Sequence, residues 1–348
     1  MDKTSNTVNV NTQNRNIFAY DLIRVIALIM IVYYHMNVEL LKSGAASPMI
    51  ITMLGKNVNI GQVGAGVFLI LSGAVQCISR ERNPSLKRYY LRRWISIMPM
   101  FYLAYVLGHL IAVLHKEATG ISVKLIWTIL GIDGYLSMLG VSTSYIVGEW
   151  FLGMLLFLYA VFPLLYYLAR KFPLLLLGLL AVLYAVNVIF VKSVNPEINL
   201  FVRMFEFGVG IYLYLYRETL FTIRGLFLVL PVLILFMVLS IPIPPVICIT
   251  VLGITLFYCL YVVGEKLEYK LAPAITRLVR FFAGLSYPVI LIHHIVILTS
   301  LESRQNLDMG YRGYLHWSVY VLLLIFACSL ILKWSYSRLT SSARRKAK

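Results

Sequence analysis

The chain of 348 residues is 60% hydrophobic and only 13% charged, with a mean hydropathy of +0.84. No soluble core needs so much apolar surface, so this composition excludes an ordinary soluble globular protein. The formal net charge of +17 comes from basic residues spread among short loops between hydrophobic stretches, where the positive-inside rule and anionic lipids account for them. We therefore expect membrane lipids as partners, and no nucleic acid.

The sequence predicts ten membrane-spanning helices, because ten apolar stretches are long enough to cross about 30 Å of hydrocarbon. They lie near residues 18–38, 61–79, 94–114, 149–169, 174–192, 200–216, 224–241, 245–263, 281–300 and 314–334. The fold class is therefore an all-α integral membrane protein, with both termini in the cytoplasm. A further stretch, 123–140, is interrupted by Gly131, Asp133 and Gly134, and we interpret it as re-entrant or interfacial.

The distribution of basic residues supports this topology. With a cytoplasmic N-terminus, ten spans place 22 of the 31 Lys and Arg residues in cytoplasmic segments and seven in outer loops. If 123–140 also crossed, every later loop would change sides and the bias would largely disappear. Residues 1–16 are a polar cytoplasmic tail, 17–335 a single multi-span domain, and 336–348 a basic cytoplasmic tail. We expect no cleaved signal peptide, because no small-residue cleavage site follows the first apolar stretch.

Two ionisable residues, Arg24 and His35, stand at the ends of the apolar run RVIALIMIVYYH in the first span. A charge at mid-membrane costs about 2.5–3.5 kcal/mol on insertion scales, so such residues are usually functional. Eleven positions of helix separate them by about 16–17 Å along the axis and about 20° in direction, so they face the same way at different depths. Two simpler interpretations stay open. Arg24 can pair with Asp21 and snorkel, and His35 can be an interfacial residue bonded to another helix.

Other polar residues lie in or beside the predicted spans. His293 is in the outer half of a late span, at a depth similar to that of His35. Pro288 in the same span can open the helix locally and free backbone groups for a cavity. Arg203 and Glu206, three positions apart, suit an ion pair as well as a functional role. Glu149 opens a span from the outer side, where helix N-termini favour carboxylates, and a catalytic role is equally open. The four cysteines have no metal-ligand spacing, and we expect no metal.

Six short stretches follow one another between residue 20 and about residue 296. They are RVIALIMIVYYH (24–35), FLILSG (68–73), LRRWISIMP (91–99), EWFLGMLLFLYAVFPLL (149–165), RMFEFGVG (203–210) and LSYPVILIHH (285–294). Together they resemble the membrane-bound acyltransferase family 3, the O-acyltransferases of cell-surface polysaccharides, of the type without a fused extracellular hydrolase-like domain. The chain departs from the family pattern at Ser96, where a further arginine is usual, and at Leu155, where many members have glutamate.

The resemblance implies a membrane O-acyltransferase of the bacterial plasma membrane. Its donor would be cytoplasmic acyl-CoA, with acetyl expected, used as a co-substrate and not as a permanently bound cofactor. Its acceptor would be a hydroxyl of a cell-surface or lipid-linked glycan. Histidine suits this transfer because its pKa lies near neutrality, and arginine suits the donor phosphates because its charge is permanent. The resemblance implies two catalytic residues, His35 as general base and Glu149 as its partner. The donor would be bound by Arg24, Arg92 and Arg93. Substrate or supporting roles fall to His293, Ser72, Arg203 and Glu206.

Two other classes of function remain open at this stage. Intramembrane arginine and histidine also suit a proton-coupled transporter or flippase for an amino acid or a lipid-linked sugar. A structural or sensory partner in a surface-polymer assembly complex is the second class. Polysaccharide-assembly proteins or further copies of the chain are the protein partners that we expect.

Overall fold

The protein is a bundle of α-helices, described by a computed structural model for residues 17–44, 53–54, 58–82, 84–114, 123–144, 147, 149–239, 241–302 and 310–346. The helices are α1 (Phe18–Lys42), α2 (Ile60–Arg82), α3 (Leu86–Leu114), α4 (Leu125–Leu130), α5 (Asp133–Met138), α6 (Glu149–Lys171), α7 (Pro173–Ile189), α8 (Leu200–Leu215), α9 (Arg217–Leu220), α10 (Ile223–Val238), α11 (Pro245–Glu268), α12 (Pro273–Ala283), α13 (Ser286–Leu301) and α14 (Gly310–Lys346). A 3₁₀ turn covers Pro196–Ile198, and the short strands β1 (Met53–Leu54) and β2 (Val58–Asn59) pair antiparallel.

Every predicted span coincides with a helix, but the helices differ in length. In the described part of the chain, six are long and apolar enough to cross a membrane: α1, α2, α3, α6, α11 and α14. The pair α12 and α13 passes the same test as a bent seventh span. The helices α7, α8 and α10 have 16 or 17 residues, which gives about 24–26 Å of helix against about 30 Å of hydrocarbon. The protein is thus all-helical with several spans, while the ten-span count and the sides of the termini stay predictions.

The late span predicted over 281–300 is divided in the structure. The helices α12 and α13 meet at an angle of 57°, with the break at Gly284 and Leu285. The sequence suggested Pro288 as the point that opens the helix. Pro288 instead lies in the first turn of α13, where a backbone N–H has no partner within the helix and proline is tolerated.

The interrupted stretch 123–140 forms two short helices, α4 and α5, and not one continuous span. The turn between them is at Gly131, whose φ of 73° is the left-handed conformation that glycine adopts readily. A Cβ at Gly131 would lie 3.0 Å from side-chain atoms of both Met98 in α3 and Leu156 in α6. The turn therefore packs between two long helices, against residues well inside them, which fits a re-entrant segment.

Capping residues and prolines set where several helices begin. The Asn199 side chain accepts hydrogen bonds from the backbone N–H groups of Phe201 and Val202 and so starts α8. Thr222 caps α10 in the same way through the N–H of Gly225. The helices α7, α11 and α12 each have proline at their first position, where its missing N–H costs nothing.

Helix α2 is the centre of the bundle. In its apolar window 78% of the residues are buried, against 28–67% in the other long helices, and it packs against α1, α8 and α11. Its contact with α8 is made backbone to backbone. A Cβ on Gly210 of α8 would overlap the carbonyl oxygen of Ile70, and one on Gly73 would overlap that of Phe207. Small residues of this kind let membrane helices approach closely.

We predict that Gly210→Ala lowers the melting temperature of the detergent-purified protein, because even one methyl group would have to push two helix backbones apart. Overpacking of a well-packed core costs about 1–3 kcal/mol, and a backbone neighbour gives way less easily than a side chain. Gly178→Ala in α7 is the matched control, since a Cβ there would meet nothing within 4 Å. Equal melting temperatures for the two variants would contradict this contact between α2 and α8.

Candidate functional site

Helix α1 carries Arg24 and His35 to two separate cavities. Arg24 lines a cavity of about 260 Å³ and His35 lines a smaller one of about 50 Å³. Phe151 of α6 and Ile290 of α13 belong to the walls of both cavities. The two ends of the RVIALIMIVYYH run therefore open into neighbouring spaces that only a few side chains separate.

The cavity beside Arg24 combines two guanidinium groups with polar and apolar side chains. Its lining residues come from five helices: Arg24 from α1, Phe68, Leu71, Ser72, Val75 and Gln76 from α2, Arg93, Ser96 and Ile97 from α3, Phe151, Leu152, Leu155 and Tyr159 from α6, and Ser286, Tyr287 and Ile290 from α13. The Nη1 atom of Arg24 is also 3.3 Å from Oδ1 of Asp21. Arg24 thus pairs with Asp21 and also lines a cavity, although the sequence offered these as alternatives.

The two predicted donor-binding arginines of α3 have different surroundings. Arg93 lines the cavity, and its Nη2 donates a hydrogen bond of 3.0 Å to Ser79 Oγ of α2. Arg92 is exposed and is not part of the cavity wall. Ser96 and Leu155 both line this cavity. The two positions at which the sequence departs from the expected family pattern are therefore part of the cavity wall.

Three histidine rings meet beside the smaller cavity, and of these His35 lines it. The ring centroids of His293 and His294 are each 5.1 Å from that of His35. His293 is fully buried, and its Nδ1–H donates to the carbonyl oxygens of Val289 and Ile290 at 3.1 and 3.0 Å. Two carbonyl acceptors place the proton on Nδ1, so the Nε2 atom of the neutral ring is an acceptor.

Glu39 completes this cluster and was not among the residues predicted from sequence. Its side chain is 8% exposed, and its Oε1 atom lies 3.5 Å from Nε2 of His294 and 2.6 Å from Nζ of Lys42. Glu39 follows His35 by four positions, which puts both on one face of α1. That spacing was visible in the sequence, but nothing there showed that His294 would meet Glu39 from another helix. His35, Glu39 and His294 each have one nitrogen or oxygen atom within 4.8 Å of the others, which is close enough for the three to hold a metal ion.

Arg203 and Glu206 form a buried ion pair, as their spacing suggested. Both side chains are 0% exposed, and Nη1 of Arg203 lies 2.8 Å from Oε2 of Glu206. The other carboxylate oxygen accepts from Thr250 Oγ1 of α11 at 3.0 Å. Nε of Arg203 donates to the backbone oxygen of Glu197 at 2.6 Å. Both carboxylate oxygens of Glu206 therefore have hydrogen-bond partners inside the protein.

This buried pair also reaches the wall of the His35 cavity. Nη2 of Arg203 donates to the side-chain oxygen of Gln62, and its guanidinium lies 5.8 Å from the ring centroid of Trp150. Gln62 and Trp150 are both lining residues of the small cavity. Arg203 thus supports two walls of the cavity without lining it.

Ser72 and Glu149 are the remaining predicted residues. Ser72 lines the Arg24 cavity. Glu149 is the first residue of α6, directly before Trp150 of the His35 cavity, but its side chain lies outside the described residues. Its role as a partner of His35 stays a prediction.

A match to a known protein family agrees with the helical membrane bundle. Residues 17–338, nearly the whole chain, match the model of the acyltransferase 3 family, which is described as an acyltransferase domain. The chain belongs to this acyltransferase family. It is a multi-pass membrane protein and an enzyme that transfers acyl groups other than aminoacyl groups. No curated protein and no solved structure matches the chain.

We predict that Glu206→Gln strongly destabilises this acyltransferase, because it leaves the Arg203 charge buried without its counter-ion. Breaking a buried pair by removing one partner costs about 3–5 kcal/mol. Glu268→Gln is the control: it removes a pair with Arg280 whose side chains are 20% and 41% exposed, and such pairs contribute about 0–1 kcal/mol. Thermal unfolding in detergent measures both. A melting temperature for Glu206→Gln as high as that of Glu268→Gln would show that the buried pair does not hold this region together.

Proposed function

We propose that the protein transfers an acetyl group from cytoplasmic acetyl-CoA to a hydroxyl of a cell-surface or lipid-linked glycan, with His35 as the general base. The observation that carries this proposal is the pair of neighbouring cavities along α1, one lined by two guanidinium groups and one lined by His35, against which His293 and His294 pack. A linear donor matches this arrangement, because its anionic phosphates would lie at the guanidinium groups and its thioester at the histidine.

The donor phosphates are assigned to Arg24 and Arg93. Guanidinium groups bind phosphate oxygens through a rigid fork of N–H donors and keep their charge at every physiological pH. The helix ends on this side of the bundle carry Arg80, Arg82, Lys87 and Arg88, so the positive-inside rule supports a cytoplasmic location. Arg92, which is exposed, contributes to the electrostatic attraction of the anionic donor and not to the cavity wall.

The dimensions along α1 suit such a donor. Arg24 and His35 are separated by about 16–17 Å along the helix axis. The pantetheine arm has about twelve bonds between its phosphate ester oxygen and its sulfur, which at the extension of a polypeptide backbone span about 13–14 Å. Phosphates held at Arg24 therefore leave the thioester close to the depth of His35.

The chemistry at His35 follows from its surroundings. The neutral imidazole accepts the proton of the acceptor hydroxyl while that oxygen attacks the thioester carbon. The tetrahedral intermediate then breaks its carbon–sulfur bond, and the imidazolium returns the proton to the leaving thiolate. The Glu39 carboxylate beside His294 stabilises the positive charge of the histidine cluster during the transfer. His293 has a supporting role, since its ring packs against that of His35 with 5.1 Å between the ring centroids.

The small cavity supports a short acyl group. A space of about 50 Å³ bounded by Trp150, Phe151 and Ile290 has room for three or four atoms, since one water occupies about 10–15 Å³ on the same measure. Acetyl fits this space, and longer chains would have to displace the aromatic walls.

The decisive test uses purified protein in lipid with acetyl-CoA labelled in the acetyl group and a panel of candidate acceptor glycans. We expect labelled glycan and free CoA from the wild type. His35→Ala should reduce kcat by about 10²–10⁴-fold, which is the usual contribution of a general base.

His316→Ala is the matched control, because His316 is an exposed residue of α14 outside both cavities. Acylation by His35→Ala at the wild-type rate would remove His35 from the mechanism. A wild type that transfers no acetyl group, but moves a solute across liposomes, would contradict the proposed reaction and favour transport.

We also predict that Phe151→Ala shifts donor preference toward longer acyl groups, because Phe151 lies between the two cavities. The measured quantity is kcat/KM for butyryl-CoA relative to acetyl-CoA. This ratio should rise about tenfold, because an apolar pocket discriminates against extra methylenes by at least about that factor. Phe157→Ala on the same helix is the control, since its ring packs on Tyr135 and lines neither cavity. An unchanged ratio in Phe151→Ala would show that this side chain does not limit acyl length.

A further inference from the structure

Helix α2 presents a stripe of polar side chains along one side of the Arg24 cavity. Ser72, Gln76 and Ser79 follow at intervals of four and three positions, which is one face of a helix. Ser72 and Gln76 line the cavity, and Ser79 holds Arg93, which also lines it. Phe68, one turn before Ser72, continues the same face as an aromatic ring packed against Phe151.

Gln76 is unusual in this stripe because it is deeply buried and incompletely hydrogen-bonded. The residue is 1% exposed, and its Oε1 atom has no hydrogen-bond partner among the residues that the structure describes. A buried amide oxygen without a donor is costly, and the great majority of such groups in folded proteins are satisfied. Because Gln76 lines the cavity, a ligand in that cavity can supply the missing donor.

The order of chemical groups along the cavity restricts what this ligand is. Arg93, whose buried Nε likewise has no acceptor in the described part of the chain, stands at the end held by Ser79. The carboxamide of Gln76 comes next, then the hydroxyl of Ser72, and then the rings of Phe68 and Phe151. A matching ligand is anionic at one end, carries an amide in its middle and is apolar toward the His35 cavity.

We infer that Gln76 is a binding residue for a secondary amide of the donor's pantetheine arm. This inference rests on the proposed function, because it takes a CoA thioester as the ligand of the cavity. A primary carboxamide both donates and accepts, so it pairs with the N–H or the C=O of a secondary amide. Gln76 then fixes how far the arm enters the bundle, while the arginines bind its phosphates.

The test compares Gln76→Met with wild type on three donors. Methionine keeps the length of the side chain and removes only its hydrogen-bonding groups. Acetyl-CoA has phosphates and amides, S-acetylpantetheine has amides without phosphates, and S-acetyl-2-mercaptoethanol has neither. We expect Gln76→Met to raise KM for the first two donors by about five- to tenfold with little change in kcat, because one hydrogen bond to the donor is lost. KM for the third donor should stay unchanged.

Arg93→Ala is the matched variant, and it should raise KM for acetyl-CoA while leaving both unphosphorylated donors unaffected. Wild-type KM values for Gln76→Met on acetyl-CoA, or an equal rise on the amide-free donor, would overturn the inference and leave the acyl transfer itself intact. Failure of the wild type to use any CoA thioester would instead remove the proposed function and this inference together. If Gln76→Met does not fold, Gln76→Leu is measured with the same donors and the same expected pattern.

Discussion

The high cost of placing charge in hydrocarbon is the constraint on which this structure depends. Arg24, His35 and Glu39 sit on a largely apolar helix, so their polar groups have to face protein and not lipid. Arg24 pairs with Asp21 on α1 itself, whereas His35 and Glu39 meet His293 and His294 of the neighbouring helix α13. Arg24 and His35 also line the two cavities.

The buried ion pair of Arg203 and Glu206 supports the residues around the His35 cavity. Arg203 and Glu206 connect α8 to α11 through Thr250 and to the small cavity through Gln62 and Trp150. The close contact between α2 and α8 brings the pair into position, because the glycines allow the two backbones to touch. Arg203 therefore holds Gln62 and Trp150, which line the small cavity together with His35.

The sequence predicted the positions of the helices well, since a run of about 20 apolar residues has few other structures available. It also predicted that Arg24 and His35 share a face of α1, because helical periodicity settles that within one segment. Residues whose roles depend on contacts between helices were not predictable. Glu39 gains its significance only when α13 brings His294 beside it. Nothing local distinguishes Arg93 from Arg92 until the folded bundle brings Arg93 to Ser79 of α2. The break before Ser286 was misplaced at Pro288 for a related reason: proline inside the first turn of a helix does not disturb it.

In the proposed mechanism, a single donor molecule extends along α1 from the arginines to the histidines. A cryo-electron microscopy structure of the protein in lipid nanodiscs with a non-transferable thioether analogue of acetyl-CoA would show the whole path of the donor. We expect phosphate density at Arg24 and Arg93, the pantetheine arm past Gln76, and the acyl carbon beside His35. Analogue bound outside this path, or phosphates on the opposite side of the bundle from Arg93, would contradict this mechanism.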